Sequence, residues 1–279
     1  MTPDRLEWLA AGPGKPWLHF AHATGMCAAV YAQLLEPLAG EFNIVASDLR
    51  GHGGSTLPAE PATLHSWATY RNDLAGILAD YSAAGPWLLA GHSMGASVSL
   101  LLAATRPELA SAVVMIEPAF VPLAHAADWQ PHDNHMTEQA AKRRALFPSR
   151  AAAADNWRGR GVFRGWPEAA LAAYVSAGMR DRPDGQVELA CSPTWESATF
   201  RAVTNEVEAA VRDLRCPLAL LHGTIGSTVA PVDAAAISAM RPGTIVERFD
   251  GASHFLPLEQ PDRVRAAIRA ALSPERPGR

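Results

Sequence analysis

The sequence predicts an α/β fold in which helices cover both faces of a mostly parallel sheet. Short apolar runs of strand length alternate with longer helical patterns, which is typical of repeated strand, helix and strand units. The alternation stops in one long interval, residues 119–211, and then resumes. We therefore expect one core domain formed by residues 1–118 and 212–279, with a mostly helical segment inserted between its two parts.

The first part of the core contains four predicted strands and three predicted helices in regular order. The strands are residues 17–20, 42–47, 87–91 and 112–116. The helices are residues 28–38, residues 66–84 and a segment that follows Ser93 and stops before Pro107. In residues 66–84 the apolar side chains recur at helical spacing, and Pro107 cannot continue the third helix.

The second part of the core resumes the pattern, with strands at residues 218–221 and 244–249 and helices at residues 232–240 and 262–272. In the inserted segment, residues 119–211, helical patterns are predicted at residues 137–146, 151–157 and 168–177. Because both flanks of the segment belong to one sheet, we expect it to lie over the edge where the strands end.

Composition and charge exclude several classes of protein. The 279 residues include 24 basic and 28 acidic side chains, so no basic surface for nucleic acid is expected. Three cysteines are too few for a disulfide framework, and no apolar run is long enough for a membrane span or an export signal. We expect a cytoplasmic monomer or homodimer that acts on a small molecule and binds neither membrane nor nucleic acid.

A candidate nucleophile lies between the strand at residues 87–91 and the helix that follows it. The motif Gly91, His92, Ser93, Met94, Gly95 is an instance of G-x-S-x-G in the strand, turn and helix context that its chemistry requires. Such a sharp turn strains the serine backbone and leaves no room for side chains at the two glycines. The alternative is a serine that merely caps the helix.

A serine hydroxyl needs a base in contact with it, and histidine is the usual one. Of the ten histidines, His254 is best placed, in a loop between the strand at residues 244–249 and the last helix. Other histidines lie in earlier turns, beside the serine or in the inserted segment; these are His22, His52, His92, His125, His132 and His135.

Four motifs together resemble the α/β-hydrolase superfamily over nearly the whole chain. In order they are HATG, similar to the HGxxG loop, DLRGHGGS, similar to the DxRGxGxS turn, GHSMG, and SHFLPLEQP around His254. The resemblance implies a sheet of eight strands or slightly fewer, catalytic residues at the carboxyl ends of the strands, and a helical cap inserted after strand six.

The resemblance also implies an oxyanion hole formed by the backbone N–H groups of Met94 and Thr24. At the second position the sequence departs from the family pattern, because Ala23 replaces the usual glycine after His22. We expect this replacement to affect the orientation of the Thr24 donor.

The acid that completes the triad is predicted to be Glu117, at the end of the strand at residues 112–116. Many relatives carry an Asp in the loop after the seventh strand, but here that loop reads HGTIGSTV and has no carboxylate. Glu117 occupies the alternative position that some family members use. A Ser–His dyad, or Asp250 as the acid, remains the alternative, and Asp233 lies within a predicted helix.

Other candidate residues have a structural interpretation beside the functional one. Asp48, Arg50 and His52 are expected to fix their turn by side-chain hydrogen bonds. Four tryptophans of the inserted segment line a pocket or, as we favour, pack its core; they are Trp129, Trp157, Trp166 and Trp195. Four arginines of the same segment bind a substrate carboxylate or are simply solvated; they are Arg143, Arg144, Arg158 and Arg160.

The predicted reaction is acyl transfer by Ser93, His254 and Glu117, without metal or cofactor. We expect hydrolysis of an ester-like bond, in a carboxylic ester, thioester or lactone, of a small apolar substrate. Two alternatives remain open. The same triad serves cofactor-free C–C hydrolases, lyases and perhydrolases, and the same fold serves non-catalytic receptors of small molecules.

Overall fold

The computed structural model describes residues 4–9, 14–81 and 85–272. The strands in these ranges are β1 (Arg5–Trp8), β2 (Trp17–Ala21), β3 (Asn43–Ser47), β4 (Trp87–His92), β5 (Ala110–Ile116), β6 (Leu146–Phe147), β7 (Met179–Asp181), β8 (Val187–Leu189), β9 (Leu218–Ile225) and β10 (Ile245–Ser253). The remaining residues of the predicted core, 1–3, 10–13, 82–84 and 273–279, lie outside the described ranges.

The α-helices of the described ranges fall between these strands. They are α1 (Ala32–Leu35), α2 (Ala68–Ala79), α3 (Met94–Thr105), α4 (His135–Ala141), α5 (Arg150–Trp157), α6 (Glu168–Ala177), α7 (Pro193–Arg201), α8 (Val207–Asp213), α9 (Pro231–Met240), α10 (Leu256–Glu259) and α11 (Pro261–Ala270). No helix in these ranges is both long enough and apolar enough to span a bilayer.

Seven strands form the main sheet in the order β1-β3-β2-β4-β5-β9-β10. Only the pairing of β1 with β3 is antiparallel, and the other neighbouring strands run parallel. The predicted α/β class is therefore confirmed. Because the six parallel strands point the same way, the loops after β2, β4, β5, β9 and β10 all emerge at one edge of the sheet.

Both faces of the sheet are buried, as the continuous apolar strands require. Leu34 and Val264, from α1 and α11, pack on one face. Tyr70, Val98 and Ile237, from α2, α3 and α9, pack on the other. Successive strand residues alternate between the two clusters, so each strand contributes side chains to both halves of the core.

Several predicted elements differ from the observed ones. β1 was not predicted. The seven strands of the described sheet agree with the predicted eight or slightly fewer, and in the described residues the inserted segment follows the fifth of them in chain order. The predicted helix 28–38 is divided into α1 and flanking single-turn 3-10 helices. The break after α1 occurs at Pro37, which lacks the N–H that a continuous helix needs. The helix predicted over residues 66–84 is α2, which ends at Ala79.

The inserted segment is not purely helical. It contains α4 to α7 and a three-stranded antiparallel sheet in the order β6-β8-β7. The helix predicted over residues 137–146 was wrong beyond Ala141, because Leu146 and Phe147 pair with β8 as a strand. α8 crosses the predicted boundary at residue 211 and buries Val207 and Val211 in the core cluster that contains α3.

Candidate active site

Ser93 lies at a sharp turn between β4 and α3. Its φ and ψ angles are 55° and −117°, a conformation that costs a non-glycine residue energy. A Cβ on Gly95 would overlap the carbonyl of Ala21, and one on Gly91 would overlap the backbone of Gly95. Both glycines are thus required by close packing, and the N–H of Met94, the first residue of α3, has no intrahelical acceptor.

The backbone of Ser93 is anchored to the end of β5. Its N–H donates to the carbonyl of Ile116 at 2.9 Å, and its carbonyl accepts from the N–H of Ala119 at 3.2 Å. The hydroxyl of Ser97 in α3 donates to the carbonyl of Ala119 at 2.7 Å. These bonds hold the turn beside Glu117, which lies between Ile116 and Ala119 in the sequence.

The structure brings Glu117 and His254 into contact although they are 137 positions apart in the sequence. Glu117 follows β5 and His254 follows β10. The Oε2 atom of Glu117 lies 3.1 Å from Nδ1 of His254, and the glutamate side chain is fully buried while the imidazole is 22% exposed. This contact engages Nδ1 of the imidazole, so Nε2 is the ring nitrogen that remains to exchange a proton with another group.

Backbone strain falls on Glu117 as well as on Ser93. Among the described residues, these are the two non-glycine residues with positive φ, which is 47° at Glu117. Residues held in such conformations persist only where the surroundings enforce them, and they concentrate at functional sites. The strain therefore points to the same pair of strand ends that the sequence motifs indicate.

The end of β9 and the loop after it surround the carboxylate of Glu117 with donors. The Gly223 N–H and the Ser227 hydroxyl donate to Oε1 at 2.5 and 2.7 Å. The Thr228 N–H and hydroxyl donate to Oε2 at 3.0 and 3.1 Å. Burial alone would raise the pKa of Glu117, but the hydrogen bonds from His254 and these donors outweigh it and lower the pKa to about 2.

The other candidate acids have different partners. Asp250 forms an exposed ion pair with Arg248 at 2.9 Å. Asp233, in the first turn of α9, accepts from the N–H of Leu123 at 3.1 Å. Of the three carboxylates considered from the sequence, Glu117 is thus the one in contact with His254.

Thr24 lies in the loop after β2, between two residues whose amides are engaged. The Ala23 N–H donates to the Tyr31 hydroxyl at 3.3 Å, and the Gly25 N–H donates to Nε2 of His52 at 3.0 Å. Ala23 is buried despite replacing the glycine of the family pattern. The loop is therefore held on both sides of the candidate oxyanion donor.

The DLRGHGGS turn has the structural role predicted for it. The carboxylate of Asp48 accepts from the N–H groups of Ala28 and Gly54, each at 2.7 Å, and burial raises its pKa to about 6. Arg50 forms a bidentate pair with Asp73 at 2.7 and 2.6 Å. Within the described ranges, no cluster of three or more His, Cys, Asp or Glu side chains could hold a metal ion.

The sequence pattern of the alpha/beta hydrolase family matches residues 20–267. The chain belongs to this family. The match covers the serine turn, the Glu117 loop and the His254 loop, so the site described above lies within the part of the chain that defines the family.

Individual relatives of the family are hydrolases. The chain is 28% identical over 253 residues, 91% of its length and 86% of the relative, to the 2-(acetamidomethylene)succinate hydrolase of Mesorhizobium japonicum. It is 30% identical over 114 residues, 41% of each chain, to the (E)-2-((N-methylformamido)methylene)succinate hydrolase of Acinetobacter baylyi. A crystal structure of E-2-(acetamidomethylene)succinate hydrolase superposes with a TM-score of 0.81 at 27% identity, covering 96% of this chain and 94% of that one.

Two of the four tryptophans of the inserted segment, Trp157 and Trp166, pack in an aromatic cluster of that segment. Trp195 instead packs against Tyr70 in the core cluster that contains α2 and α3. Trp157 stacks on Phe163 with ring centroids 5.2 Å apart, and Tyr174 packs against both rings. Trp166 extends this cluster to Phe255, at 5.4 Å, which directly follows His254. The inserted segment therefore reaches the loop that carries the imidazole.

The sequence reasoning missed Ser227, Thr228 and Tyr31. Ser227 and Thr228 lie in the loop that was noted only for lacking a carboxylate, and their hydroxyls were the available signal. Tyr31 hydrogen-bonds to His92, which was noted only as a histidine beside Ser93. Neither role is visible without knowing which loops meet at the sheet edge.

Proposed function

We propose that the chain is a serine hydrolase that cleaves an ester-like bond through an acyl-enzyme. His254 removes the proton of the Ser93 hydroxyl as that oxygen attacks the carbonyl carbon. The Met94 and Thr24 N–H groups stabilise the oxyanion, and His254 returns the proton to the leaving group. A water molecule, deprotonated by His254, then releases the acyl group and regenerates Ser93.

The observation that carries this proposal is the contact between Glu117 and His254. A carboxylate 3.1 Å from Nδ1 selects the tautomer with its proton on Nδ1 and leaves Nε2 free to act as a base. The same carboxylate stabilises the imidazolium that forms when His254 takes the serine proton. The hydrogen bonds from His254 and from Gly223, Ser227 and Thr228 keep it ionised at neutral pH, because together they outweigh the effect of burial and lower its pKa to about 2.

We also propose that the inserted segment, residues 119–211, acts as a cap over this site. Two contacts support it. Trp166 packs against Phe255 beside the imidazole. Glu196 and Arg143 lie against the Cα of Gly25, the residue after the candidate oxyanion donor. A cap in this position would exclude water and shape the acyl pocket.

A fluorophosphonate probe tests the proposal directly. We expect the wild-type protein to be labelled at Ser93, as located by peptide mass spectrometry, and Ser93→Ala to be unlabelled. Ser238→Ala is the matched control, because Ser238 lies in α9, outside the serine turn and the contacts of Glu117, and its loss is expected to leave labelling intact. A wild-type protein that resists labelling would contradict catalysis and favour a non-catalytic receptor.

The substrate class is tested with p-nitrophenyl esters of graded chain length. An ester hydrolase should release p-nitrophenol at a rate that depends on acyl length and should lose this activity in Ser93→Ala. Labelling at Ser93 without turnover of any ester would instead favour a C–C hydrolase, lyase or perhydrolase on the same triad.

A second candidate is hydrolysis of a substrate that carries a carboxylate. Two relatives act, by name, on succinate derivatives. In this chain Arg143 pairs with Glu196 at 2.5 Å and donates to the Tyr174 hydroxyl at 3.0 Å, next to Gly25. A substrate carboxylate that reaches this position would share the guanidinium of Arg143 with Glu196.

Two esters separate these candidates. If Arg143 binds a carboxylate, Arg143→Lys should raise KM for mono-p-nitrophenyl succinate more than for p-nitrophenyl acetate. Arg158→Lys is the control, because Arg158 pairs on the surface with Asp155 and Glu168. If Arg143→Lys changes KM equally for both esters, the carboxylate-bearing substrate is contradicted and the apolar substrate is the better proposal.

A further inference from the structure

A chain of hydrogen bonds through His92 connects two loops. One is the loop after β2, which carries the candidate oxyanion donor Thr24 and is called the oxyanion loop below. The other is the loop after β10, which carries His254. The Ala23 N–H donates to the Tyr31 hydroxyl at 3.3 Å, and the Tyr31 oxygen lies 2.7 Å from Nδ1 of His92. Nε2 of His92 lies 2.8 Å from the carbonyl oxygen of His254. Tyr31 and His92 are completely buried, so water does not compete for these bonds.

The direction of each bond follows from the groups involved. A carbonyl oxygen only accepts, so Nε2 of His92 carries a proton and donates to His254. Burial, and repulsion from His254, lower the pKa of His92 to about 3, so its ring is neutral and Nδ1 is an acceptor. The Tyr31 hydroxyl therefore donates to Nδ1 and accepts from Ala23. Its contact with Met26 Sδ, at 3.2 Å, is to a much weaker acceptor.

The ring of His92 also packs directly on the residues it would position. Its centroid is 4.8 Å from that of His254 and 6.2 Å from that of Phe255. His92 is covalently next to Ser93. A single side chain thus borders the serine turn, contacts the imidazole and binds the backbone that carries it.

We propose that His92 is a positioning residue: held by Tyr31 in the Nε2–H tautomer, it fixes the His254 backbone relative to Ser93 and ties that loop to the oxyanion loop at Ala23. The effect on catalysis rests on the proposed function. The hydrogen-bonded connection between the two loops, called the tie below, is a property of the folded chain and does not depend on that function. If His92 flipped tautomer, the Nε2 lone pair would face the His254 carbonyl and the loop would shift.

Two substitutions at His92 separate its two hydrogen bonds. The amide nitrogen of Gln reaches the position of Nε2, so His92→Gln keeps a donor for the His254 carbonyl. The amide of Asn reaches only the position of Nδ1, so His92→Asn keeps an acceptor for Tyr31 and loses that donor. Both variants are polar and uncharged, which makes each a control for the other.

The kinetic readout is kcat on a p-nitrophenyl ester, with KM measured alongside. We expect His92→Asn to lower kcat by about 10- to 100-fold with KM little changed, because misplacing a catalytic group by about 1 Å costs up to 100-fold. His92→Gln should recover most of this loss. Equal kcat values for the two variants would overturn the proposal, since a residue that only fills space would not distinguish them.

Hydrogen exchange followed by mass spectrometry tests the tie without catalysis. We expect faster exchange in the peptide around residues 253–258 in His92→Asn and wild-type exchange there in His92→Gln. Tyr31→Phe, which keeps the ring volume, should speed exchange around both Ala23 and residues 253–258. Unchanged exchange in His92→Asn and Tyr31→Phe would refute the tie. If the exchange pattern is as expected but the wild type resists the fluorophosphonate, the tie stands and the proposed function fails.

Discussion

Replacing Glu117 with Gln should abolish most of the activity while leaving a folded protein. Gln has nearly the same shape as Glu, but its amide group carries N–H donors in place of one carboxylate oxygen. These N–H groups would face the donors that now bind that oxygen. The charge that stabilises the His254 imidazolium would be lost, and the imidazole tautomer would no longer be selected. By analogy with the buried acid of a protease triad, we expect kcat to fall by about 10⁴-fold.

The stability cost of the same substitution follows from the pKa of Glu117. Its hydrogen bonds lower this pKa from 4.5 to about 2 in the folded protein. At about 1.36 kcal/mol per unit of pKa, a carboxylate shifted this far contributes about 3 kcal/mol of stability at pH 7. Because the folded-state pKa is the lower one, this contribution is present above about pH 4.5 and is lost as the pH falls toward 2.

Urea denaturation at pH 7 and at pH 3 measures this contribution. Glu117→Gln should be less stable than the wild type by about 3 kcal/mol at pH 7, and the difference should shrink at pH 3. Asp250→Asn is the matched control. Asp250 sits in an exposed ion pair with Arg248, so its loss should change stability by less than about 1 kcal/mol and leave kcat unaltered.

The kinetic result decides whether Glu117 is the acid. If the kcat of Glu117→Gln is within tenfold of the wild-type value, Glu117 is not the acid that supports His254. A large loss in Asp250→Asn instead would transfer the role to that residue. A Ser–His dyad would tolerate both substitutions.

Two further predictions concern the serine turn and the β9 loop. Gly95→Ala should destabilise the fold by about 1–3 kcal/mol, because the new Cβ would overlap the Ala21 carbonyl. Gly76 is exposed in α2 with open space around it, so Gly76→Ala is the control and should stabilise the fold by up to about 1 kcal/mol. Urea midpoints measure both, and equal shifts would contradict the packing argument. Thr228→Val should lower kcat by about tenfold, since it removes one charge-assisted hydrogen bond to the ionised Glu117. Wild-type turnover would show that this hydroxyl is dispensable.

Local patterns in the sequence were sufficient to predict the fold class. The parallel strands are continuous apolar runs, and a buried strand of this kind can be recognised from its own residues. The serine turn was equally local, because the two glycines, the strand before them and the helix after them are contiguous in the chain. β1 and the strands of the inserted segment escaped prediction because they are short and partly polar, and their pairing partners lie elsewhere in the sequence.

The sequence predicted Glu117 as the acid but left Asp250 and a Ser–His dyad open, and the tertiary structure shows which of these carboxylates contacts His254. From the sequence, the loop after β9 was notable for what it lacked, and Asp250 was as close to His254 as any carboxylate. In the folded chain that loop provides three donors to Glu117 and the end of β9 provides a fourth, while Asp250 pairs with Arg248.

What the sequence determined by itself was therefore the set of local elements and the identity of the serine turn. The sequence also predicted Glu117 as the acid, but only the tertiary structure decided the contact of its carboxylate with the imidazole and the binding of the His254 backbone by the buried ring of His92. The physical reason is that the parallel sheet brings the ends of β2, β4, β5, β9 and β10 to one edge. Contacts across that edge join residues more than a hundred positions apart, and no local pattern records them.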